Sequence, residues 1–318
     1  MTMNLHVRKR VFAGWLRGAV LWLCAMCLAS AAAAAAPQRA FASPEDAVNA
    51  LVGAVKAHDR PAIVAILGSG SDKWITSGDA VADRAAAEHF VSAFEQKHAI
   101  APEGEARAAL TVGPDDWPFA FPLVKSGDGW RFDTAAGKDE LLARRIGQNE
   151  LAVINVMLAI VDAQREYALG SHTRDGVAQY AKKFASSPGK QDGLYWPTKA
   201  GEPESPLGPL VRRATAEGYQ AKKPSQPRAY HGYYFRMLTG QGSHAKGGAL
   251  DYVVKGRMIG GFAAVAYPAR YGNSGVMTFI VDHDGVVYQR DLGPDTAKKA
   301  RAMTRFDPGP EWTPVPAK

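Results

Sequence analysis

The sequence predicts an α+β protein of two modules joined by one long helix. Three observations predict it. Residues Asp139 to Tyr167 contain no proline, open on acids, and repeat Leu142, Ile146, Val153, Met157 and Ile160 at helical spacing. Before that stretch, helical periodicity gives way to short β-type runs. After it come four more β-type runs, and helices segregated from antiparallel strands are the α+β order. The boundaries read 1–42 for an export signal, 43–137 for the first module and 138–318 for the second, with a long excursion over 171–229.

In the first module, Ser43-Pro44-Glu45-Asp46 supplies a cap, a first-turn proline and two acids for a helix start. Val48, Leu51, Val52 and Val55 form its buried stripe. Asp59 and Pro61 open a second helix, and Asp79 to Gln96 is a third, with Val81, Phe90 and Phe94 inward. Ala108–Val112, Phe119–Lys125 and Trp130–Asp133 read as strands, with Gly127-Asp128-Gly129 as a hairpin turn. In the second half of the long helix, Leu151, Ile154, Leu158 and Val161 fill in beside the main stripe. A helix apolar over most of its circumference is expected to be buried. Arg174–Phe184 and Pro209–Glu217 are read as short helices in the excursion. Tyr233–Leu238, Phe262–Tyr267, Val276–Val281 and Val286–Arg290 are read as strands, Pro294-Asp295-Thr296 as the start of a last helix, and Pro308–Pro316 as an extended tail. Phe262–Tyr267 and Val276–Val281 are apolar on both alternating faces, so both faces of their sheet are expected to be covered. The long helix covers one, and the excursion is the expected cover for the other.

Charge and cysteine usage exclude several function classes. The net charge of +7 comes largely from Arg8, Lys9, Arg10, Arg17 and Arg39, and 1–42 contain no acid. Without that segment 33 basic residues face 31 acidic ones, a net +2 with no broad footprint for nucleic acid. Arg8-Lys9-Arg10, then an apolar run from Ala19 to Leu28 and an alanine run, make an export signal. Its cut falls among Ala33–Ala36 or after Ala42. Both cysteines, Cys24 and Cys27, lie inside it, so disulfides, thiol nucleophiles and cysteine metal sites are excluded from the mature chain. No integral membrane segment is expected after signal removal.

Several stretches together resemble a known family. They are Asp116 to Lys125, Gly129 to Asp133, Arg144 to Leu151, Tyr230-His231-Gly232-Tyr233-Tyr234-Phe235 and Gly275 to Val281. They are similar to the DUF2950 family of exported bacterial proteins of unknown function. The likeness spans nearly the whole mature chain and implies export but no activity. More loosely, the first module resembles cystatin-like folds of the nuclear transport factor two superfamily. The second, with a long helix, a variable excursion and a four-stranded antiparallel sheet, resembles a pilin-like globular domain. Its hydrophobic helix sits mid-chain rather than at a mature N-terminus, which speaks against filament assembly.

No motif declares a chemistry. Asp282-His283-Asp284-Gly285 lacks the further ligands of a calcium loop and reads as a hairpin corner. The histidines stand at no zinc-helix spacing, no serine sits in G-x-S-x-G, and no phosphate-binding glycine loop precedes a helix. Neither cofactor nor metal is expected. Tyr195, Trp196, Tyr230, Tyr233 and Tyr234 are the candidate binding surface, against the simpler reading that aromatics pack strands. The expectation is a non-enzymatic exported binding or envelope structural protein, whose partner is an envelope protein or a small ligand. The alternatives are a hydrolase-like enzyme with its site between the modules and a pilus-associated assembly factor.

Overall fold

The computed structural model describes residues 37–127, 129–170, 176–220 and 228–316. The basic and apolar parts of the expected export signal lie outside them, as does Asp128 of the expected turn. Gln38–Lys318 form one compact unit, mixed helix and sheet as the α+β reading requires.

Local capping sets the first three helices. Ser43 Oγ accepts from the Asp46 amide at 3.0 Å and starts α1 (Pro44–Lys56). Asp59 accepts from the Ala62 amide and starts α2 (Arg60–Leu67). Asp79 accepts from the Val81 and Ala82 amides and starts α3 (Ala80–Gln96). Each cap satisfies amides that the first helical turn cannot. Then follow β1 (His98–Pro102), β2 (Arg107–Val112), β3 (Trp117–Pro118), β4 (Leu123–Ser126) and β5 (Gly129–Phe132). All their pairings are antiparallel, in the order β1-β2-β4-β5 with β3 also on β2. The expected strand Phe119–Lys125 is broken. Pro118 and Pro122 carry no N–H for a ladder, and between them Phe121 turns inward against Trp74, ring centroids 5.6 Å apart. Ala47, Leu51, Ile66, Leu110, Leu123 and Phe132 centre the first core.

No linker separates the modules. Asp133 caps α4 (Thr134–Leu169) directly after β5, accepting from the Ala136 amide at 3.0 Å. Leu141 and Leu142 pack on the first core, and Val153, Met157 and Ile160 belong to the second. Gly137 is required by close approach, since a Cβ there would stand 2.1 Å from the Phe121 ring. Full burial of α4 does not occur. Leu151 is 52 % exposed and Leu158 41 % exposed, because its covers leave this strip open.

The second module adds α5 (Gly208–Ala216), β6 (Tyr233–Leu238) and the two-residue strands β7 (Gly240–Gln241), β8 (Leu250–Asp251), β9 (Val253–Val254) and β10 (Arg257–Met258). After them come β11 (Ala263–Pro268), β12 (Met277–Asp282), β13 (Tyr288–Asp291), α6 (Thr296–Ala302), β14 (Arg305–Phe306) and β15 (Thr313–Pro314). The main sheet is antiparallel in the order β15-β13-β12-β11-β6, so the tail contributes an edge strand. Of the expected helix Arg174–Phe184, the first two residues lie outside the described residues and 176–184 are not helical. Their bonds go to distant partners: Tyr180 N–H to Met258 O at 2.8 Å, and Ala181 in both directions to the buried Gln164 side chain at 2.8 Å.

Register shows what covers each face of this sheet, since directly opposed residues share a face. Ala266 opposes Phe279, whose ring lies 5.9 Å from Tyr233. Tyr233 reaches Glu150 of α4, so α4 lies on this side. Val265 opposes Arg236 and Ile280 on the other side. There Arg236 donates to the carbonyls of Ala300 and Arg301 at 2.8 and 2.7 Å. The second layer is therefore α6, not the excursion. The excursion packs on α4 instead, through Ala181 on Gln164 and the Tyr167 hydroxyl on Gln191 O. Helix α6 is short, which hid its covering role. Val265 is fully buried beneath it. Val265→Asp should cost several kcal/mol by burying an unpaired charge, whereas the half-buried Met277→Asp should cost less. Equal urea midpoints for the two variants would contradict this layering.

Candidate functional site

The site starts from a carboxylate in the first module. Asp79 is 3 % exposed. Its Oδ1 caps α3, and its Oδ2 accepts from the Tyr219 hydroxyl at 2.8 Å and the Gly232 amide at 3.0 Å. The Tyr219 oxygen in turn lies 3.4 Å from the His231 amide, which donates to it. These bonds hold two successive left-handed residues, His231 at φ 49° and Gly232 at φ 73°. Position 232 has no room for a Cβ, which would meet Asn149 Nδ2 at 2.7 Å. A non-glycine residue in this backbone region is strained and persists only where its surroundings enforce it.

The enforced turn projects Tyr230 and His231 into a cavity of about 360 Å³ between α4 and α5. Ala152, Val156 and Ala159 of α4 and Leu210 of α5 form its apolar wall. Arg213 and Glu217 stand one helical turn apart on the α5 side, and Asn155 completes the polar set. His231 Nε2 lies 3.6 Å from the Glu217 carboxylate, and the Tyr230 and His231 rings are 4.1 Å apart. The Tyr230 hydroxyl is buried and makes no hydrogen bond, although Glu217 is near. Burial first, and then Glu217, pushes Tyr230 up to about 12. Tyr219 is raised further by burial and by Asp79. Burial lowers His231 against the opposing pull of Glu217 and Asp79, so the imidazole is held towards its neutral form.

Of the five aromatics singled out in the sequence, Tyr230 lines this cavity. Tyr195 and Trp196 line a second one on the opposite side of α5. Tyr233 is 0 % exposed. Its hydroxyl donates to Met277 O at 3.0 Å beneath α4, so it belongs to the core rather than to a surface. Tyr234 packs against Tyr267 on the α6 face, ring centroids 5.7 Å apart. The sequence reading missed Asn155, Arg213, Glu217 and His231. The spacing of Arg213 and Glu217 on an expected helix was the available signal. Nothing local pairs Glu217 with His231. The Asp282–Gly285 corner is a turn, closed by Gly285 N–H to Asp282 O at 3.0 Å. Among the described residues no three His, Asp or Glu side chains gather as a metal site.

The lowered His231 pKa fixes a sign. The unfolded histidine takes up a proton near its usual value of about 6.5, before the folded one does. Stability is thus fully present above that value and lost as pH falls towards the folded pKa. His231→Asn, with a residue that tolerates the left-handed backbone, should flatten the fall in urea midpoint between neutral and mildly acid pH. An unchanged slope would mean that His231 does not titrate as described.

The profile of the family described as "Protein of unknown function (DUF2950)" matches residues 38–315. No curated protein and no solved structure matches the chain. The matched span runs from Gln38, docked on the first core, through the Asp79-held turn and both cavities to the tail strand; the chain belongs to the DUF2950 family.

Proposed function

We propose that this is an exported, non-enzymatic binding protein, and that the cavity between α4 and α5 holds a small zwitterion with an apolar body. The observation that carries this is that Arg213 and Glu217, not ion-paired with each other, both line the cavity together with the aliphatic α4 wall. Among the described residues the Arg213 side chain has no ion-pair partner, which leaves it for a ligand carboxylate. Glu217 suits an ammonium group, and the cavity's size and mostly apolar lining fit small-molecule sites. Thermal shift with leucine and with leucyl-leucine is the direct test. At about a hundredfold excess over Kd a bound ligand adds about 2.7 kcal/mol. Arg213→Ala and Glu217→Gln should each abolish the shift. A panel of zwitterions that leaves the melting temperature untouched would sink the reading.

A hydrolase-like reading is favoured by one observation, the neutral-leaning His231 beside Glu217. Among the described residues no serine, threonine or cysteine lines this cavity, so the nucleophile would be a water activated by His231. Turnover of peptide or ester substrates that disappears in His231→Asn would support it over simple binding. The pilus-associated reading draws on element order alone, and fold likeness does not carry function.

The export proposal rests on the N-terminal sequence pattern, and two contacts of the first module favour the earlier of its two cut positions. The Gln38 side chain donates to Ile66 O and Phe132 O, both at 2.9 Å. Phe41 is buried and exchanges two backbone hydrogen bonds with Trp130, at 2.9 and 2.8 Å. A cut after Ala42 would discard both. We expect intact mass of the exported protein to place its first residue ahead of Gln38. A mass starting at Ser43 would contradict this.

A further inference from the structure

We propose that the second cavity, on the opposite side of α5, binds a neutral saccharide. The cavity measures about 520 Å³ and is independent of the zwitterion site, from which α5 separates it. Alternation on the helix places Arg213 and Glu217 on one side and Arg212, Thr215 and Ala216 on the other.

Three features select the ligand class. The first is an aromatic platform. Tyr195 and Trp196 line the cavity and are only half-buried. Their backbone is fixed on both sides: Tyr195 N–H donates to Phe184 O at 2.8 Å, and Leu207 N–H donates to Leu194 O at 2.9 Å. The Trp196 and Tyr167 rings meet at 68°, centroids 6.5 Å apart, which fixes the indole against α4. Preorganised aromatic faces suit the C–H face of a pyranose ring, which is apolar while its rim is polar.

The second is charge. Arg212 and Glu204 both line the cavity and are ion-paired with each other. The wall is thus neutral overall, yet offers planar donors and acceptors beside the aromatic platform, the geometry that receives vicinal hydroxyls. A charged ligand would have to break this pair, whereas a polyol can join it. The zwitterion site differs on this point, because there Arg213 is not paired with Glu217.

The third is an unpartnered hydroxyl. Ser205 is 2 % exposed, lines the same cavity, and its Oγ makes no hydrogen bond. A buried polar group without a partner in a native fold calls for an explanation, and a ligand hydroxyl supplies one. A purely apolar guest would leave it unsatisfied.

The test is titration of the purified protein with cellobiose and with N,N′-diacetylchitobiose, followed by calorimetry and by saturation transfer from protein to sugar. Saturable binding with Kd on the order of 1 mM is expected for at least one of them. Trp196→Ala should abolish it, Trp196→Phe should retain it, and Arg212→Ala should weaken it about tenfold. Lys125→Ala, on the exposed surface of the first module, should leave it unchanged. Because Trp196 also touches Tyr167, Trp196→Ala could unsettle the fold; Arg212→Ala, at an exposed side chain, keeps the proposal falsifiable. Absence of saturable binding by both sugars overturns it. So does sugar binding that survives Trp196→Ala and Arg212→Ala alike, or a cavity that takes a proline-rich peptide in place of both sugars.

Discussion

The structure depends on where one buried carboxylate sends its two oxygens. Asp79 caps α3 in the first module with one, and with the other accepts from Tyr219 and Gly232 in the second. Hydrogen bonds to an ionised acceptor are roughly twice as strong as neutral ones. Four donors around a group 3 % exposed therefore fix the helix start and the turn after α5 together. The strained backbone at His231 follows from it, and so does the direction in which Tyr230 and His231 face.

Helix α4 gives that carboxylate a rigid frame. It leaves β5 with no spacer and serves the first core near its start and the second core along its later turns. Arg145 donates to Trp74 O at 2.7 Å and to Asn273 Oδ1 at 2.6 Å. Asn273 donates in turn to Lys73 O and Thr76 O, both at 3.1 Å. One turn further on, Glu150 accepts from the Val276 and Met277 amides at 2.9 Å and pins the start of β12. A cavity walled by α4 and α5 is thereby built on elements that share one frame, as a preorganised site needs. Among the described residues α4 alone is long and apolar enough to cross a membrane; Val153, Met157 and Ile160 are buried in the second core, while Leu151 and Leu158 are exposed.

Much of the fold was legible because its causes are local. The caps at Ser43, Asp59 and Asp79 sit within three residues of the amides they satisfy, and α5 and the four strands β6, β11, β12 and β13 declare themselves by period. The edge strand β1 was not read, since its burial is slight and only Ile100 turns inward. The break at Pro122 had a local cause, the missing proline N–H, that was overlooked, whereas the irregular course of 176–184 and the layer formed by α6 depend on partners far along the chain. The site was legible only in fragments for the same reason. Tyr230 and its neighbours stood out as an aromatic run, but Gly232 meets Asp79 across 153 residues and no local pattern encodes that contact. The membership in DUF2950 was readable from the motifs and brings no activity with it.

The central claim is that Asp79 builds the cavity-facing turn from the first module. Native-state hydrogen exchange of Asp79→Asn against the unaltered protein tests it most directly. An asparagine in that place presents an amide to donors that need an acceptor. The account predicts that the Gly232 and His231 amides lose protection by about a hundredfold, the equivalent of roughly 3 kcal/mol, while Phe279 and Val281 in the second core keep theirs. Protection at Gly232 and His231 that is unchanged, or that falls only in step with the whole second core, would contradict it.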